Sequence, residues 1–223
     1  MNDDIISFIE QAVNHPEQKE TLYDDIAMAF FNHCRLLPDV NNDSKTYKLA
    51  EIEIYLTSTK KVDGRLRDVF CHCHEKQGTM FEFYEHYSGY DITIGNKDME
   101  FMGGILLRGI EQERNYLYGP GRVYDALGKN PKLDFGGKNS FSLLKKRKGI
   151  SEINGNDVIK TKRVNLSLDP LHKSNYDDNS MENFFLKARY IRISSFKNIS
   201  RADKGGNPKN ADDILWEIRS MGY

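Results

Sequence analysis

A chain of 223 residues and 25.8 kDa has the length of one large domain or two small ones and is long enough to bury an efficient core. Its 39% hydrophobic and 11% aromatic residues argue against disorder despite a mean hydropathy of -0.65, and its apolar runs fall well short of the roughly 20 residues a bilayer crossing takes. Lys+Arg 32 against Asp+Glu 33 gives a net charge of -1, which excludes a strongly cationic nucleic-acid coat and leaves room for a local basic patch.

The acidic start, Met1-Asn2-Asp3-Asp4, lacks the basic n-region of a secretory signal. Ile5, Ile6, Phe8, Ile9 and Val13 then fit an amphipathic helix closed by His15-Pro16. Residues 22–37 keep the helical period through Ile26, Ala27, Phe30, Phe31 and Cys34, with Pro38 as the stop. After a loop at Asn41-Asn42-Asp43-Ser44, the period changes to two. Tyr47, Leu49, Glu51, Glu53 and Tyr55 alternate with Lys48, Ala50, Ile52, Ile54 and Leu56, as in a strand. Further strands are expected at 80–87, 90–94, 104–110 and 187–194, a short helix at 123–127, and turns at 136–139 and 153–157. Asp212-Asp213 opens a final helix carrying Ile214, Leu215, Trp216 and Ile218. The reading is one α+β domain, a helical cap over residues 1–38 on a core over 45–223.

Charge is unevenly placed. Acids dominate up to Phe31, while bases such as Lys145, Lys146, Arg147 and Lys148 dominate the section 132–173. That section is either a solvated face or a polyanion-binding edge, weak and salt-sensitive given the overall neutrality. Three cysteines, Cys34, Cys71 and Cys73, show no framework spacing and point to a reducing cytoplasm.

Four segments carry residues capable of chemistry. Glu51 and Glu53 share one face of their strand, either wetted or held as a rigid general base beside Tyr55. In Asp68-Val69-Phe70-Cys71-His72-Cys73-His74, period two on a strand splits the cysteines from the histidines, which disfavours zinc and leaves Asp68 to orient His72. The aromatic run with Phe81, Phe83 and Tyr84 is either core or a wall that stacks on a flat ring. Arg108 ends an apolar strand, as a buried ion-pair partner or an electrophilic group in a cleft. Gly119-Pro120-Gly121-Arg122 lets backbone approach a neighbour closely.

In order, these segments read Glu-x-Glu-x-Tyr-Leu (51–56), Asp-x-x-x-His (68–72), Gly-Thr-Met-Phe-x-Phe (78–83), Leu-Leu-Arg-x-x-Glu (106–111) and Gly-Pro-Gly-Arg-x-x-x-Ala-Leu-Gly (119–128). The series resembles the 3-methyladenine (alkylpurine) DNA glycosylases over residues 48–130, with a fainter echo at 190–193. The resemblance implies a mixed, curved, barrel-like sheet with N-terminal helices and a C-terminal helix. It implies hydrolysis of an N-glycosidic bond to a modified purine, in base-excision DNA repair, by an activated water without metal or cofactor. Carried over, Glu53 is the base, and His72 and Arg108 orient the water. Tyr55, His72, Phe81 and Phe83 wall the base slot, with Glu51, Asp68, Gly119 and Arg122 in support. The implied partner is DNA or a nucleoside. This chain differs at His86 to Asp91, where relatives carry a wedge and where Asp91 adds a negative charge. It differs too at Thr93, where relatives carry an asparagine that screens bases. The alternative is a non-catalytic protein that binds a nucleobase, nucleotide or partner on the same scaffold.

Overall fold

The computed structural model describes residues 3–39, 45–60, 64–86, 89–113, 115–135, 157–163, 166 and 186–192. Its helices are α1 (Asp3–Asn14), α2 (Lys19–His33) and α3 (Pro120–Leu127). Its strands are β1 (Arg35–Leu37), β2 (Tyr47–Ser58), β3 (Met80–His86), β4 (Gly89–Ile94), β5 (Phe101–Gln112), β6 (Asn115–Tyr118), β7 (Lys132–Asp134), β8 (Val158–Thr161) and β9 (Arg189–Arg192).

Ile5, Ile9, Ala12 and Val13 of α1 are buried, as are Leu22, Tyr23, Ile26, Ala27, Phe30 and Phe31 of α2. Residues one turn apart thus form the single apolar stripe that sets a helix against a core. The helix expected to reach Leu37 stops at His33. Cys34 is extended, and β1 pairs with both β2 and β7. Pro38 biases Leu37 away from helical angles, and two strand edges offer the β1 amides partners that a helix end lacks.

Among the described residues, nine strands form one antiparallel sheet in the order β3-β4-β5-β2-β1-β7, with β6 on β5 and the β8-β9 pair on β2. Curvature returns the end strands β3 and β7 to contact, so the sheet is barrel-like and nearly closed. Phe81 and Phe135 span that closure with ring centroids 5.4 Å apart, and both meet Phe30 of α2.

Register divides the central strands into two buried faces. Ile54, Ile105, Ile92 and Phe83 lie side by side across β2, β5, β4 and β3 and join the helices in one apolar cluster. The alternate rows are polar: Glu53, Leu106, Asp91 and Tyr84, then Tyr55, Gly104 and Thr93. Residues 66–79 lie against this polar side through Asp68 N–H to Thr57 Oγ1 and Gln77 Nε2 to Asp91 Oδ2. The strand expected at 68–74 is absent. Phe70 N–H bonds the Asp68 carboxylate and Cys71 N–H bonds its carbonyl, a local turn that competes with any ladder.

The strand expected at 187–194 is β9. The final helix from Asp212, the turn at 136–139, all but Asp157 of that at 153–157, and Lys145 to Lys148 lie outside the described residues. No described helix is long and apolar enough to cross a membrane.

Candidate active site on the polar face of the sheet

Glu51 and Glu53 project from β2 onto the polar face, and neither meets water: they are 2% and 0% exposed. Burying two carboxylates demands compensation in place. Arg108 Nε donates to Glu51 Oε1 at 2.9 Å. From β9, Arg189 donates to the same oxygen through Nε at 2.8 Å and Nη2 at 2.7 Å. Tyr116 of β6 donates to Oε2 at 3.1 Å. Glu53 Oε2 accepts from Tyr55 at 2.8 Å and lies 3.5 Å from Arg108 Nη1, while its Oε1 is 3.9 Å from Arg189 Nε. Two carboxylates thus meet two guanidinium groups, and the cluster carries no net charge.

Electrostatics follow this geometry. Burial pushes the Glu51 carboxyl up, but Arg189 and Arg108 outweigh it and hold the group below the ordinary carboxylate value. Burial works against the charge on Arg108 too, yet Glu53 and Glu51 leave it above its ordinary value. Burial, then the neighbouring Glu53, raises the Tyr55 phenol; burial and Glu51 do the same to Tyr116.

Arg108 reaches both glutamates because of an irregularity in the ladder. Glu51 pairs with Gly109 and Ile52 with Leu107, so Arg108 is the extra residue of a bulge, a device that re-aims a side chain. The Arg108 carbonyl accepts from Gly119 N–H at 2.6 Å. Gly119 caps α3 at φ 96, a region open mainly to glycine. Gly109 has its own steric role: a Cβ there would fall 2.4 Å from the Tyr116 hydroxyl that serves Glu51.

A second buried pair adjoins the first. Arg163 clamps both carboxylate oxygens of Asp68, bonds the Ile54 carbonyl, and lies 4.6 Å over the Tyr55 ring. Asp68 therefore serves Arg163 and the turn, not His72.

His72 stands apart, exposed, its ring edge-on to His86 at 5.4 Å. His86 continues through Tyr84 at 5.7 Å to His74, which stacks on Tyr84 at 4.6 Å, making a row of four rings along the β3 side. Asp91, which adds a negative charge where relatives carry a wedge, is buried, bonded by Gln77 and 3.1 Å from His86 Nε2. Phe83 lies on the face opposite Glu53, against Tyr90. Phe81, displaced by a bulge and held at φ 61, packs with Phe30 and Phe135. Arg122 lies 5.9 Å over Tyr118. The structure thus unites Glu51, Glu53, Tyr55 and Arg108, and it sets His72, Phe81, Phe83 and Arg122 elsewhere.

Arg189, Tyr116 and Arg163 escape the sequence reading. An arginine inside the apolar run Ala188-Arg189-Tyr190-Ile191 was the available sign, since a cation in a buried strand needs an acid beside it.

An open cleft of about 630 Å³ is lined by Lys76, Glu85, His86, Gly89, Gly121, Tyr124 and Asp125, on the ring-bearing side. Glu53 and Arg108 do not line it. Among the described residues, no group of three or more His, Cys, Asp or Glu side chains is placed to hold a metal ion. No protein-family model matches this chain, and no curated protein does.

Proposed function

We propose that this chain is an N-glycosidic hydrolase of the alkylpurine glycosylase type, acting on a modified purine in DNA or in a nucleoside. The observation that supports it is the meeting of Glu53, Tyr55 and Arg108, all marked by the resemblance, within 2.8–3.5 Å on rigid strands. The nearly closed sheet has the curved, barrel-like form that the resemblance implies, although among the described residues its pairing is antiparallel rather than mixed.

In this reading Glu53 takes a proton from the attacking water as the bond from the sugar carbon to the purine nitrogen breaks. Arg108 Nη1 and the Tyr55 hydroxyl hold Oε2 in place. The row His72, His86, Tyr84 and His74 offers rings on which bases stack. His72 takes that place here rather than the water. Because Glu53 is fully buried, turnover requires substrate entry to displace the groups that cover it.

A second reading, a non-catalytic binding protein, is favoured by one observation: Glu53 is 0% exposed while His72 stands apart with His86. Incubation with methylated duplex DNA and with methylated nucleosides separates the two. Abasic sites or free base formed by the wild type, and lost in Glu53→Gln, support hydrolysis. No product from either substrate leaves the binding reading.

A further inference from the structure

The polar face holds one flat cation in a setting of its own. Arg163 Cζ lies 4.6 Å over the Tyr55 ring and 5.4 Å over the Phe70 ring. Nη1 and Nη2 fork onto the two carboxylate oxygens of Asp68, Nη2 at 3.2 Å, and Nη1 also donates to the Ile54 carbonyl at 3.3 Å. Two aromatic faces, a buried carboxylate and a carbonyl thus make a slot that selects a group both planar and positively charged. Bonds that do not involve Arg163 hold its walls. Asp68 N–H donates to Thr57 Oγ1 at 3.2 Å, Phe70 N–H to Asp68 Oδ1 at 3.0 Å, and the Tyr55 hydroxyl to Glu53 Oε2 at 2.8 Å. Tyr55 therefore serves both the slot and the proposed base. Arg163 and Asp68 are buried, whereas Tyr55 keeps partial exposure, so one wall of the slot reaches the surface.

We propose that Arg163 is a built-in occupant of this slot, standing in for a planar cationic ligand that binds once Arg163 swings out with β8. Arg163 follows β8, a four-residue strand that among the described residues pairs with β9 alone. A short edge strand opens at far lower cost than the long β2-β5 ladder. In the proposed chemistry the ligand is an N-alkylated purinium, whose ring spreads its positive charge as a guanidinium does; only this identification rests on the hydrolase reading.

The exchange has a built-in selectivity. When Arg163 leaves, a neutral ring abandons Asp68 as an unpaired buried carboxylate, which is costly. A planar cation replaces one ion pair by another and keeps the carboxylate satisfied. The occupant also weakens every ligand by a common factor, because the apparent dissociation constant rises by the inverse of the fraction of molecules with the slot open.

The test is equilibrium dialysis of the full-length wild type and Arg163→Lys against benzamidinium and its neutral isostere benzamide. Lysine keeps a charge for Asp68 but has no planar fork to cover the ring. Benzamidinium should bind both proteins, and Arg163→Lys roughly tenfold or more tightly. Benzamide should bind neither, and Tyr55→Leu should abolish the binding of benzamidinium. Equal affinity of wild type and Arg163→Lys, benzamide binding as well as benzamidinium, or no binding to either protein overturns the proposal. Should Arg163→Lys fail to fold, amide exchange of the wild type decides. Saturating benzamidinium should speed exchange along 158–161, and unchanged exchange overturns the proposal. Benzamidinium has no glycosidic bond, so the outcome is independent of turnover. Hydrolysis of methylated substrates without these binding differences refutes the Arg163 proposal alone, and these differences without hydrolysis refute the hydrolase reading alone.

Discussion

Replacing Arg189 by methionine tests whether the buried cluster depends on charge balance. Methionine keeps much of the stem volume but removes both bonds to Glu51 Oε1, at 2.8 and 2.7 Å. Glu51 keeps Arg108 at 2.9 Å and Tyr116 at 3.1 Å, but the cluster becomes two carboxylates against one guanidinium. Breaking a buried pair from one side costs about 3–5 kcal/mol, against about 0–1 kcal/mol for an exposed pair. At about 2–4 °C per kcal/mol for a chain of this size, the melting midpoint should fall by roughly 6–20 °C. The pH dependence supplies the sign. In the wild type Glu51 is held below the ordinary carboxylate value, so its contribution is complete above the unfolded carboxylate range and is lost as pH falls through the lower folded value. In Arg189→Met, burial acts with less opposition and raises the Glu51 carboxyl. Protonation then relieves the unpaired charge, so the deficit should be greatest near about pH 7 and shrink toward about pH 5. Denaturant titrations of both proteins across that range measure it. A deficit below about 1 kcal/mol, or one that ignores pH, would refute the account.

Gly119→Ala should cost about 1–3 kcal/mol through backbone strain alone, because φ is 96 and no atom lies within 4 Å of the added Cβ; a neutral result by chemical denaturation contradicts that. Tyr116→Phe removes a buried donor to an ionised Glu51, should cost about 1.5–3 kcal/mol, and should move the Glu51 carboxyl upward in a carbon-13 titration; an unmoved titration removes Tyr116 from the set of groups that tune it. If the chain hydrolyses an N-glycosidic bond, Glu53→Gln should slow turnover about a hundred- to ten-thousand-fold, with substrate binding measured separately to show the loss is in the chemical step.

Local periodicity made much of the framework readable. The stripe of Ile5, Ile9 and Val13 specifies α1, and alternation around Ile52, Ile54 and Leu56 specifies β2. Where the reading failed, a partner decided. Residues 35–37 continue a helical pattern, yet β2 and β7 recruit them as a strand. Residues 68–74 alternate like a strand, yet the Asp68 carboxylate turns the chain. The same limit applies to the site. Glu53 and Arg108 are individually conspicuous, but the second cation on Glu51 comes from 138 residues away and the phenol from 65.

What the sequence by itself determined is therefore the composition of each face: isoleucines on one side of β2, glutamates and a tyrosine on the other. Only the tertiary structure decided that the second side is covered rather than wet, that Arg108 is turned by a bulge onto both carboxylates, and that His72 joins His86. The physical reason is that alternation records the direction of a side chain relative to its own strand. Whether that direction ends in water or in a counter-ion depends on distant segments whose arrival no local pattern encodes.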